Sequence, residues 1–360
     1  MKNTSEQEKI KIGLIGLGYA GATRYLPVMS RMKEFDVVGV IDSDANAAAC
    51  TAKKFGIANH SSSDNIKAIK WIDDLNAVVI ATPPFFHYKY IKEFLEKGKH
   101  VLVDKPFVMT LSEAQEVVEL AKQKNLKLAI IHNFQFSSAF NQLLTDRDNG
   151  KLGNIKAVSC SLLNNPKRDV PDWHHDLPWG QFYDESPHSF YMINRLFPNN
   201  LSYVSSCYYP NSNQSLKTPS SIFVNYTAKD ESGFLIPVTA DFNFEASLSE
   251  WHFKVVGENG VAIVDYFRNT YMFLANDRSH KLMNVLNTSL SFTWQHWSNQ
   301  IIPAFKFIFC SWLPGHDVVI RNFADALLRG KELKFMDSSS AMRILSMQYE
   351  VMNTANQQSK

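Results

Sequence analysis

The sequence lacks an excess of charge of either sign. Its 360 residues include 37 lysines and arginines against 35 aspartates and glutamates, for a formal net charge of +2. A chain without a strongly basic face has little attraction for a nucleic-acid backbone, so we expect no nucleic-acid partner. With 45% hydrophobic and 20% charged residues, the composition is typical of a soluble globular protein, and small molecules are the expected partners.

Cysteines are also few. Cys50, Cys160, Cys207 and Cys310 are scattered, with no Cys-x-x-Cys pair and no histidine at zinc-ligand spacing. We therefore expect no metal site and interpret the four as buried thiols in a reducing compartment. Residues 1–9 are polar and lack the apolar core of a signal peptide, which favours the cytoplasm.

A long hydrophobic run is missing as well. The most apolar late stretch, residues 301–314, is too short to span a bilayer and contains Pro303 and Lys306. We therefore expect no transmembrane segment and no membrane partner.

Short apolar runs alternate with helical patterns through the first third of the chain. Strict alternation of strands and helices favours a parallel sheet with helices on both faces, a Rossmann-type domain over residues 1–132. The predicted strands are 12–15, 37–41, 77–81, 100–103 and 127–131, and the predicted helices are 22–32, 45–55, 87–96 and 112–124, the last with Ser112 as N-cap.

The pattern changes after residue 142, where runs rich in β-branched and aromatic residues follow one another without intervening helices. Such runs favour a large, mostly antiparallel open sheet, so the fold class is α/β plus α+β, with a second α/β domain over residues 133–360. The predicted strands are 154–163, 201–209, 221–228, 237–244, 251–256, 261–266 and 271–274, and the predicted helices are 183–196, 317–328 and 338–352.

A Gly-x-Gly-x-x-Gly loop follows the first strand and precedes the first helix. Gly16 can make the tight turn, Gly18 lets the backbone approach a pyrophosphate, and Gly21 lets the helix pack on the sheet, with Tyr19 and Ala20 between them at the phosphates. The helix N-terminus then offers N–H groups to the phosphates. We expect a dinucleotide site here.

Asp42 strengthens this prediction and bears on the cofactor. It ends the second strand 21 residues after Gly21, where a carboxylate can bind a ribose 2′-hydroxyl. A carboxylate about 4 Å from a 2′-phosphate would be repelled by roughly 4 kcal/mol at an effective dielectric constant near 20. Because Ser43 and Asp44 offer no compensating cation, NAD is favoured over NADP.

Two further groups lie where strands of the parallel sheet end, the edge at which open α/β sheets bind ligands. Lys105 follows strand 100–103 and could hold a substrate hydroxyl or help to move a proton. Thr82 and Pro83, followed by His87, end the preceding strand. We expect these residues to form the wall on the cofactor side.

In the second domain, Asp184 and His188 are four residues apart and would share one face of a helix. A carboxylate beside an imidazole suits general acid–base chemistry, although such a pair also occurs on helix surfaces. Pro187 is expected in the first turn of this helix, which a helix tolerates.

At this point the residues resemble the Gfo/Idh/MocA family of oxidoreductases over nearly the whole chain. Residues 95–107, with Asp104-Lys105-Pro106, look like its catalytic-lysine segment, and residues 180–188 look like its second signature. Residues 150–155 are similar to the turn that opens its second domain. The resemblance implies a hydride moved between nicotinamide and a hydroxyl-bearing carbon, commonly of a sugar, cyclitol or nucleotide sugar.

The resemblance also implies roles for individual residues. Lys105 would bind or polarise the substrate oxygen, His188 would take the hydroxyl proton, and Asp184 would position the substrate or the imidazole. It further implies a homodimer or homotetramer formed through the open sheet. The alternatives are an enzyme that retains NAD and uses transient oxidation for glycosidic hydrolysis or elimination, and a cofactor-binding regulatory protein without turnover.

Several positions depart from the family pattern, so we expect an atypical substrate pocket. Asp104 replaces the usual Glu, Gln135 stands where many members have Arg, Ser186 with Pro187 replaces a frequent glycine, and Met192 replaces an Asp. The aromatic and imidazole-rich loop 171–179 is a candidate pocket wall, with simple packing as the alternative.

The segment 276–315 has the least readable pattern and is rich in aromatic residues. Core or a subunit interface is the favoured interpretation, ahead of a sugar-stacking or membrane-contact loop. Its aromatic residues are Phe292, Trp294, Trp297, Phe305, Phe307, Phe309 and Trp312.

Overall fold

The computed structural model describes residues 8–230, 232–279, 281–309 and 315–358, with only the helical backbone for 302–309. The chain forms two compact units. The first comprises Met1–Asn133 and His316–Leu345, and the second comprises Phe134–Gly315 and Ser346–Lys360. Residues 1–7, Cys310 and Trp312 lie outside the described residues, as do the side chains of Phe305, Phe307 and Phe309.

The first unit contains a six-stranded, fully parallel sheet in the order β3-β2-β1-β4-β5-β6. This order is that of a Rossmann fold and confirms the predicted sheet. Its central strands are continuous buried apolar runs, as expected of strands covered on both faces. The strands are β1 Ile10–Ile15, β2 Phe35–Ile41, β3 Asn59–Ser61, β4 Ala77–Ile80, β5 His100–Val103 and β6 Leu128–Ile130.

Local signals account for the helices of this unit. Asp44 caps α2 by accepting from the N–H groups of Asn46 and Ala47. The predicted N-cap Ser112 is wrong, because the N-cap is Thr110, two residues earlier, which forms a capping box with Glu113. A π-helical turn, Gly21–Tyr25, precedes the first α-helix. The helices are α1 Leu26–Met29, α2 Ala45–Phe55, α3 His87–Glu96 and α4 Leu111–Gln123, together with α8 His316–Arg329 late in the chain.

The second unit contains an eight-stranded mixed sheet in the order β13-β12-β11-β7-β10-β9-β8-β14. Only β7 with β10 and β8 with β14 pair in parallel, so the predicted mostly antiparallel sheet is confirmed. The strands are β7 Ile155–Leu163, β8 Leu201–Tyr209, β9 Ser221–Lys229, β10 Leu235–Asn243, β11 Glu250–Gly257, β12 Gly260–Asp265, β13 Thr270–Ala275 and β14 Asn356–Gln357.

Alternate residues of β7, β9 and β10 are buried, so one face of this sheet carries the core and the other is more open. The helices of the unit are α5 Ser138–Asp148, α6 Gln181–Leu196 and α7 Leu282–Phe309, and α9 Ser338–Thr354 runs across the unit boundary. Helices α5 and α7 were not predicted. Among the described helices, none has the length and apolar character needed to cross a lipid bilayer.

The cysteines differ from the prediction that all are buried. Cys160 is buried, and desolvation raises the pKa of its thiol to about 12. Cys50 is exposed and Cys207 is half-buried. Cys50 lies on the solvent-facing side of α2. The pattern of apolar residues in that helix does not show whether its position is buried or exposed.

The buried imidazole of His132 makes stability depend on pH. Desolvation lowers its pKa to about 3, whereas a histidine of the unfolded chain titrates near 6.5. Between these values the unfolded chain binds a proton that the folded chain does not. Its contribution to stability is therefore complete above about pH 6.5 and is lost as the pH falls toward 3.

We expect His132→Gln, which keeps a donor but cannot titrate, to flatten the pH dependence of stability. As the pH is lowered from 6 to 4, the free energy of unfolding should decrease more steeply for the natural protein than for the variant. The difference between the two slopes should be about 1.4 kcal/mol per pH unit. Urea unfolding across that range measures the difference, with exposed His175→Ala as control. Parallel curves for His132→Gln and the natural chain would contradict the assignment.

Candidate functional site

The glycine loop connects β1 to the π-helical turn Gly21–Tyr25. Gly16 has φ +89°, and a Cβ there would lie 2.5 Å from the carbonyl carbon of Ala81. A Cβ at Gly21 would collide with the carbonyl oxygen of Gly16, whereas a Cβ at Gly18 would meet nothing within 4 Å. The backbone at Gly18 therefore borders open space, as a loop that cradles a pyrophosphate requires.

Asp42, directly after β2, holds the glycine loop with its carboxylate. One oxygen accepts from the N–H of Leu17 at 2.6 Å, and the other accepts from the N–H of Asp44 at 2.9 Å. Each carboxylate oxygen can accept a second hydrogen bond. The group is thus oriented toward the loop and retains acceptor capacity for a ribose hydroxyl.

The imidazole of His87 is fully buried between two segments at the carboxyl edge of the sheet. Its Nε2 lies 2.8 Å from the carbonyl oxygen of Thr82, and its Nδ1 lies 2.8 Å from that of Pro106 and 3.1 Å from that of Phe107. Burial lowers the pKa of the ring, and the three carbonyls oppose that shift. Because both nitrogens face backbone, His87 ties the end of β4 to the segment that carries Lys105.

Thr82 and Lys105 contribute polar side chains to this edge of the sheet. The Thr82 hydroxyl is buried and, among the described residues, no group hydrogen-bonds to it. Lys105 is half-buried, and its N–H donates to Asp104 Oδ1 at 2.8 Å. A buried hydroxyl without a partner and the open space at Gly18 both fit a bound NAD(P).

In the second unit, α6 buries nearly its whole length. Every residue from Gln181 to Leu196 except Gln181 and Arg195 is buried. The helix begins after Gly180, whose φ is +54° and whose missing Cβ leaves room for the Thr218 hydroxyl. Its buried polar residues are Asp184, Glu185, Ser186, His188, Ser189 and Asn194.

Pro187 lies inside α6 rather than in its first turn, because the helix begins at Gln181. A proline cannot donate to the carbonyl four residues earlier, which here belongs to Tyr183. Gln348, a buried residue of α9, donates to that carbonyl at 2.7 Å and to the Ser186 hydroxyl at 3.1 Å. A side chain from the far end of the sequence thereby replaces the hydrogen bond that the proline removes.

Asp184 is paired with an imidazole from the loop that precedes α6. His174 Nε2 lies 3.2 Å from Asp184 Oδ2, and both side chains are buried. His174 Nδ1 lies 2.9 Å from the carbonyl oxygen of Pro171. The imidazole of His174 therefore lies between a backbone carbonyl and the Asp184 carboxylate.

Aromatic rings and a tyrosine hydroxyl surround the imidazole of His188. Its Nδ1 lies 2.8 Å from the Tyr191 hydroxyl, whose oxygen also accepts from the N–H of Phe134 at 3.1 Å. The rings of Phe134 and Trp251 lie with centroids 5.0 and 5.4 Å away. The ring orientation is therefore fixed, which a proton-transferring imidazole requires.

An ion pair between buried Glu185 and exposed Arg168 lies beside this imidazole. Glu185 Oε2 is 4.0 Å from His188 Nε2, and Glu185 Oε1 accepts from Arg168 at 2.6 Å. The Glu185 carboxylate raises the pKa of the Arg168 guanidinium. The Glu185 carboxylate therefore lies between the Arg168 guanidinium and the His188 imidazole.

Sequence reasoning identified Asp184 and His188 but missed the residues that surround them. His174 lies in the loop 171–179 that was singled out as a pocket wall, and its imidazole was the available signal. Gln348 and Tyr191 carry no motif, since their roles depend on residues that only the fold brings near.

One other cluster contains groups that could hold a metal ion. Glu250, His252 and Asp265 have ligand atoms within 4.8 Å of one another. Arg268 donates to both carboxylates, to Glu250 at 2.6 and 2.7 Å and to Asp265 at 2.5 Å. Among the residues that the structure describes, this guanidinium already supplies the positive charge that the carboxylates need.

Comparison with known proteins matches two family models along the chain. Residues 10–132 match the model described as "Oxidoreductase family, NAD-binding Rossmann fold", and residues 148–360 match "Oxidoreductase family, C-terminal alpha/beta domain". Both belong to GFO_IDH_MocA and together cover most of the sequence.

Some curated relatives have names that state a reaction, and two of them are dehydrogenases. Glucose-6-phosphate 3-dehydrogenase of Bacillus subtilis (strain 168) is 29% identical over 46% of this chain and 46% of its own length. D-glucoside 3-dehydrogenase of Escherichia coli (strain K12) is 28% identical over 48% of each chain. The chain thus spans about half the length of these relatives.

Solved structures share the fold at low identity. The 3-ketoreductase KijD10 of Actinomadura kijaniata, in complex with NADP and TDP-benzene, has a TM-score of 0.75 at 19% identity and covers 97% of this chain and 99% of its own. GenD2 from gentamicin A biosynthesis, in complex with NAD, has a TM-score of 0.72 at 17% identity, with 99% and 95% covered. These likenesses support the fold.

The Gln348 contact yields a double-mutant test. We expect Gln348→Leu to destabilise the protein by about 1–3 kcal/mol, because a buried carbonyl loses a donor. In the Pro187→Ala variant, the backbone N–H of residue 187 can donate to the carbonyl of Tyr183. Gln348→Leu should therefore lower the free energy of unfolding of that variant by at least about 1 kcal/mol less than it does in the natural protein. Urea unfolding of the four proteins measures the coupling, and simple additivity would show that Gln348 does not compensate for the proline.

Proposed function

Because the chain belongs to the Gfo/Idh/MocA oxidoreductase family, we propose that it is an NAD(P)-dependent dehydrogenase or reductase acting on a sugar, cyclitol or nucleotide-sugar-like substrate. The observation that carries the proposal is the burial of Asp184 and His188 on α6, each beside a specific ionisable or hydroxyl partner. Ionisable groups are costly to bury, and such clusters are typical of acid–base sites.

The bound nicotinamide would supply the hydride acceptor or donor. Gly16, Gly18, Tyr19, Ala20 and Gly21 would hold the pyrophosphate through the loop backbone and the helix N-terminus. Asp42, Thr82 and Pro83 would complete the cofactor site, with His87 acting indirectly by holding the edge. The division of the chain into domains 1–132 and 133–360 remains part of this proposal.

His188 would take the proton of the reacting hydroxyl, and Lys105 would bind the oxygen. Tyr191 would orient the imidazole, and the Glu185 carboxylate would favour its protonated form. Acid–base assistance of this kind is typically worth about 10² to 10⁴ in rate. Asp184, which is paired with His174, would bind a substrate hydroxyl or position the imidazole of His188.

The names of two relatives support a proposal for the carbon that is oxidised. Both curated dehydrogenases described above act at carbon 3 of a glucose unit. We therefore propose a pyranose oxidised or reduced at that carbon. A homo-oligomer formed through the open sheet is part of the same proposal, supported by exposed apolar side chains such as Val204 and Phe223 on β8 and β9.

The proposed reaction is tested with the purified protein, NAD or NADP, and a panel of polyols, glucosides and sugar phosphates. We expect nicotinamide reduction with at least one glucosyl compound. Lys105→Ala and His188→Ala should each lower kcat at least about 100-fold, because they remove acid–base groups, while NADH binding measured by fluorescence changes little. Exposed Lys122→Ala is the control.

Full activity in either variant would remove the catalytic assignment. Turnover of an aryl glucoside without net NADH would instead indicate transient oxidation during glycosidic cleavage. NADH binding with no turnover of any compound, together with altered association with another protein, would support a regulatory role.

Asp42 tests the cofactor preference. We expect Asp42→Ala to lower the ratio of NAD to NADP affinity at least tenfold, because the substitution removes a ribose acceptor and relieves repulsion of a 2′-phosphate. Titration of intrinsic fluorescence with each cofactor measures the ratio. Asp36→Ala, at the exposed start of the same strand, is the control, and an unchanged ratio for Asp42→Ala would contradict the ribose role.

A further inference from the structure

Helix α7 turns its amide side chains toward the protein. Gln295 accepts from the N–H of Phe273 at 2.8 Å and donates to the carbonyl of the same residue at 2.9 Å. Asn299 donates to the carbonyl of Tyr271 at 2.6 Å. Both bonded residues lie in β13, the edge strand of the sheet, so the amides satisfy main-chain groups that an edge leaves open.

The opposite side of α7 presents large apolar side chains to solvent. Trp294 is 75% exposed, Trp297 66% and Leu290 69%. These residues recur at spacings of three and four, so they form one row, which we call the apolar row: Leu282, Leu286, Leu290, Trp294, Trp297 and Ile301. The interpretation of the segment as core is therefore wrong for these residues.

The apolar row is large enough to require a partner. The two indoles alone expose roughly 300 Å², since an aromatic side chain presents about 150–250 Å² when fully accessible. A contiguous patch beyond a few hundred Å² is typical of an interaction surface. Because the amide side is bound to β13, the helix cannot roll the row inward without breaking those hydrogen bonds.

The charge around the apolar row has one sign. From residue 278 to residue 316 the sequence contains no Asp or Glu, although the chain has 35 in 360 residues. The charged residues of this stretch are Arg278, Lys281 and Lys306. Arg278 and Lys281 are exposed directly before α7 begins at Leu282.

The charges of this segment distinguish between two possible partners of the apolar row, a second copy of the chain and an anionic lipid surface. A second copy of the chain would meet the row through a two-fold contact, in which the same patch faces itself. Basic residues would then approach basic residues with no carboxylate of the segment to pair with them. An anionic lipid surface offers the opposite charge, and tryptophans favour the boundary between headgroups and acyl chains.

We propose that α7 docks the protein on anionic lipid surfaces, with the apolar row in the acyl boundary and Arg278 and Lys281 at the headgroups. The helix lies in the plane of the interface, in keeping with the absence of a spanning helix among the described residues. This replaces the sequence-based expectation that no membrane partner exists. The inference stands independently of the reaction proposed above.

The test uses the full-length protein and vesicles of phosphatidylcholine with and without phosphatidylglycerol. We expect co-sedimentation with the mixed vesicles, at least tenfold weaker binding to pure phosphatidylcholine, and a blue shift of tryptophan emission on binding. The triple variant Leu290→Ser, Trp294→Ser, Trp297→Ser should lose at least tenfold in binding. The double variant Arg278→Ala, Lys281→Ala should bind the mixed vesicles more weakly, and its binding should depend less on salt concentration.

The control variant Leu248→Ser, Phe234→Ser removes exposed apolar side chains elsewhere and should bind as the natural protein does. Circular dichroism and thermal unfolding check that each variant is folded. Absence of vesicle binding by the natural protein would overturn the proposal. So would a lipid-free oligomer that the triple variant dissociates, since the row would then be a contact between copies.

Discussion

The hydrogen bond from Gln348 to the carbonyl of Tyr183 holds the helix that carries Asp184 and His188. Pro187 leaves that carbonyl without its helical donor in the middle of a helix that is buried on nearly all sides. A kink or a frayed turn at this point would move Asp184, three residues before the proline, and His188, directly after it. The backbone of the candidate site is therefore held from α9.

The same arrangement recurs elsewhere in the molecule, because side chains complete hydrogen bonding that the backbone leaves unfinished. Asp42 binds the N–H of Leu17 in the glycine loop, His87 bridges carbonyls that follow two neighbouring strands, and Gln295 binds both main-chain groups of Phe273. In each case a polar side chain stabilises a segment that lacks a regular partner. The segments bound by Asp42 and His87 belong to the candidate site.

The sequence predicts the two sheets well because their periodicity is strong. Buried runs such as Val101-Leu102-Val103 and the alternation in β9 leave little choice of element, and the glycine spacing with Asp42 predicts the form of the loop. The sequence could not predict that Pro187 lies inside α6, since the helix begins where Gly180 adopts a positive φ beside Thr218. Helix α7 was missed because its apolar residues face outward, against the usual pattern.

The two-unit arrangement has a consequence for synthesis. The Rossmann sheet is complete by residue 130, yet α8, which packs on β1 and the Gly21–Tyr25 turn, belongs to residues 316–329. During synthesis, the first unit therefore cannot be completed by α8 until most of the second unit has been translated. A fragment that ends near residue 132 would leave that surface bare, so the cofactor unit is built by the whole chain rather than by its first third.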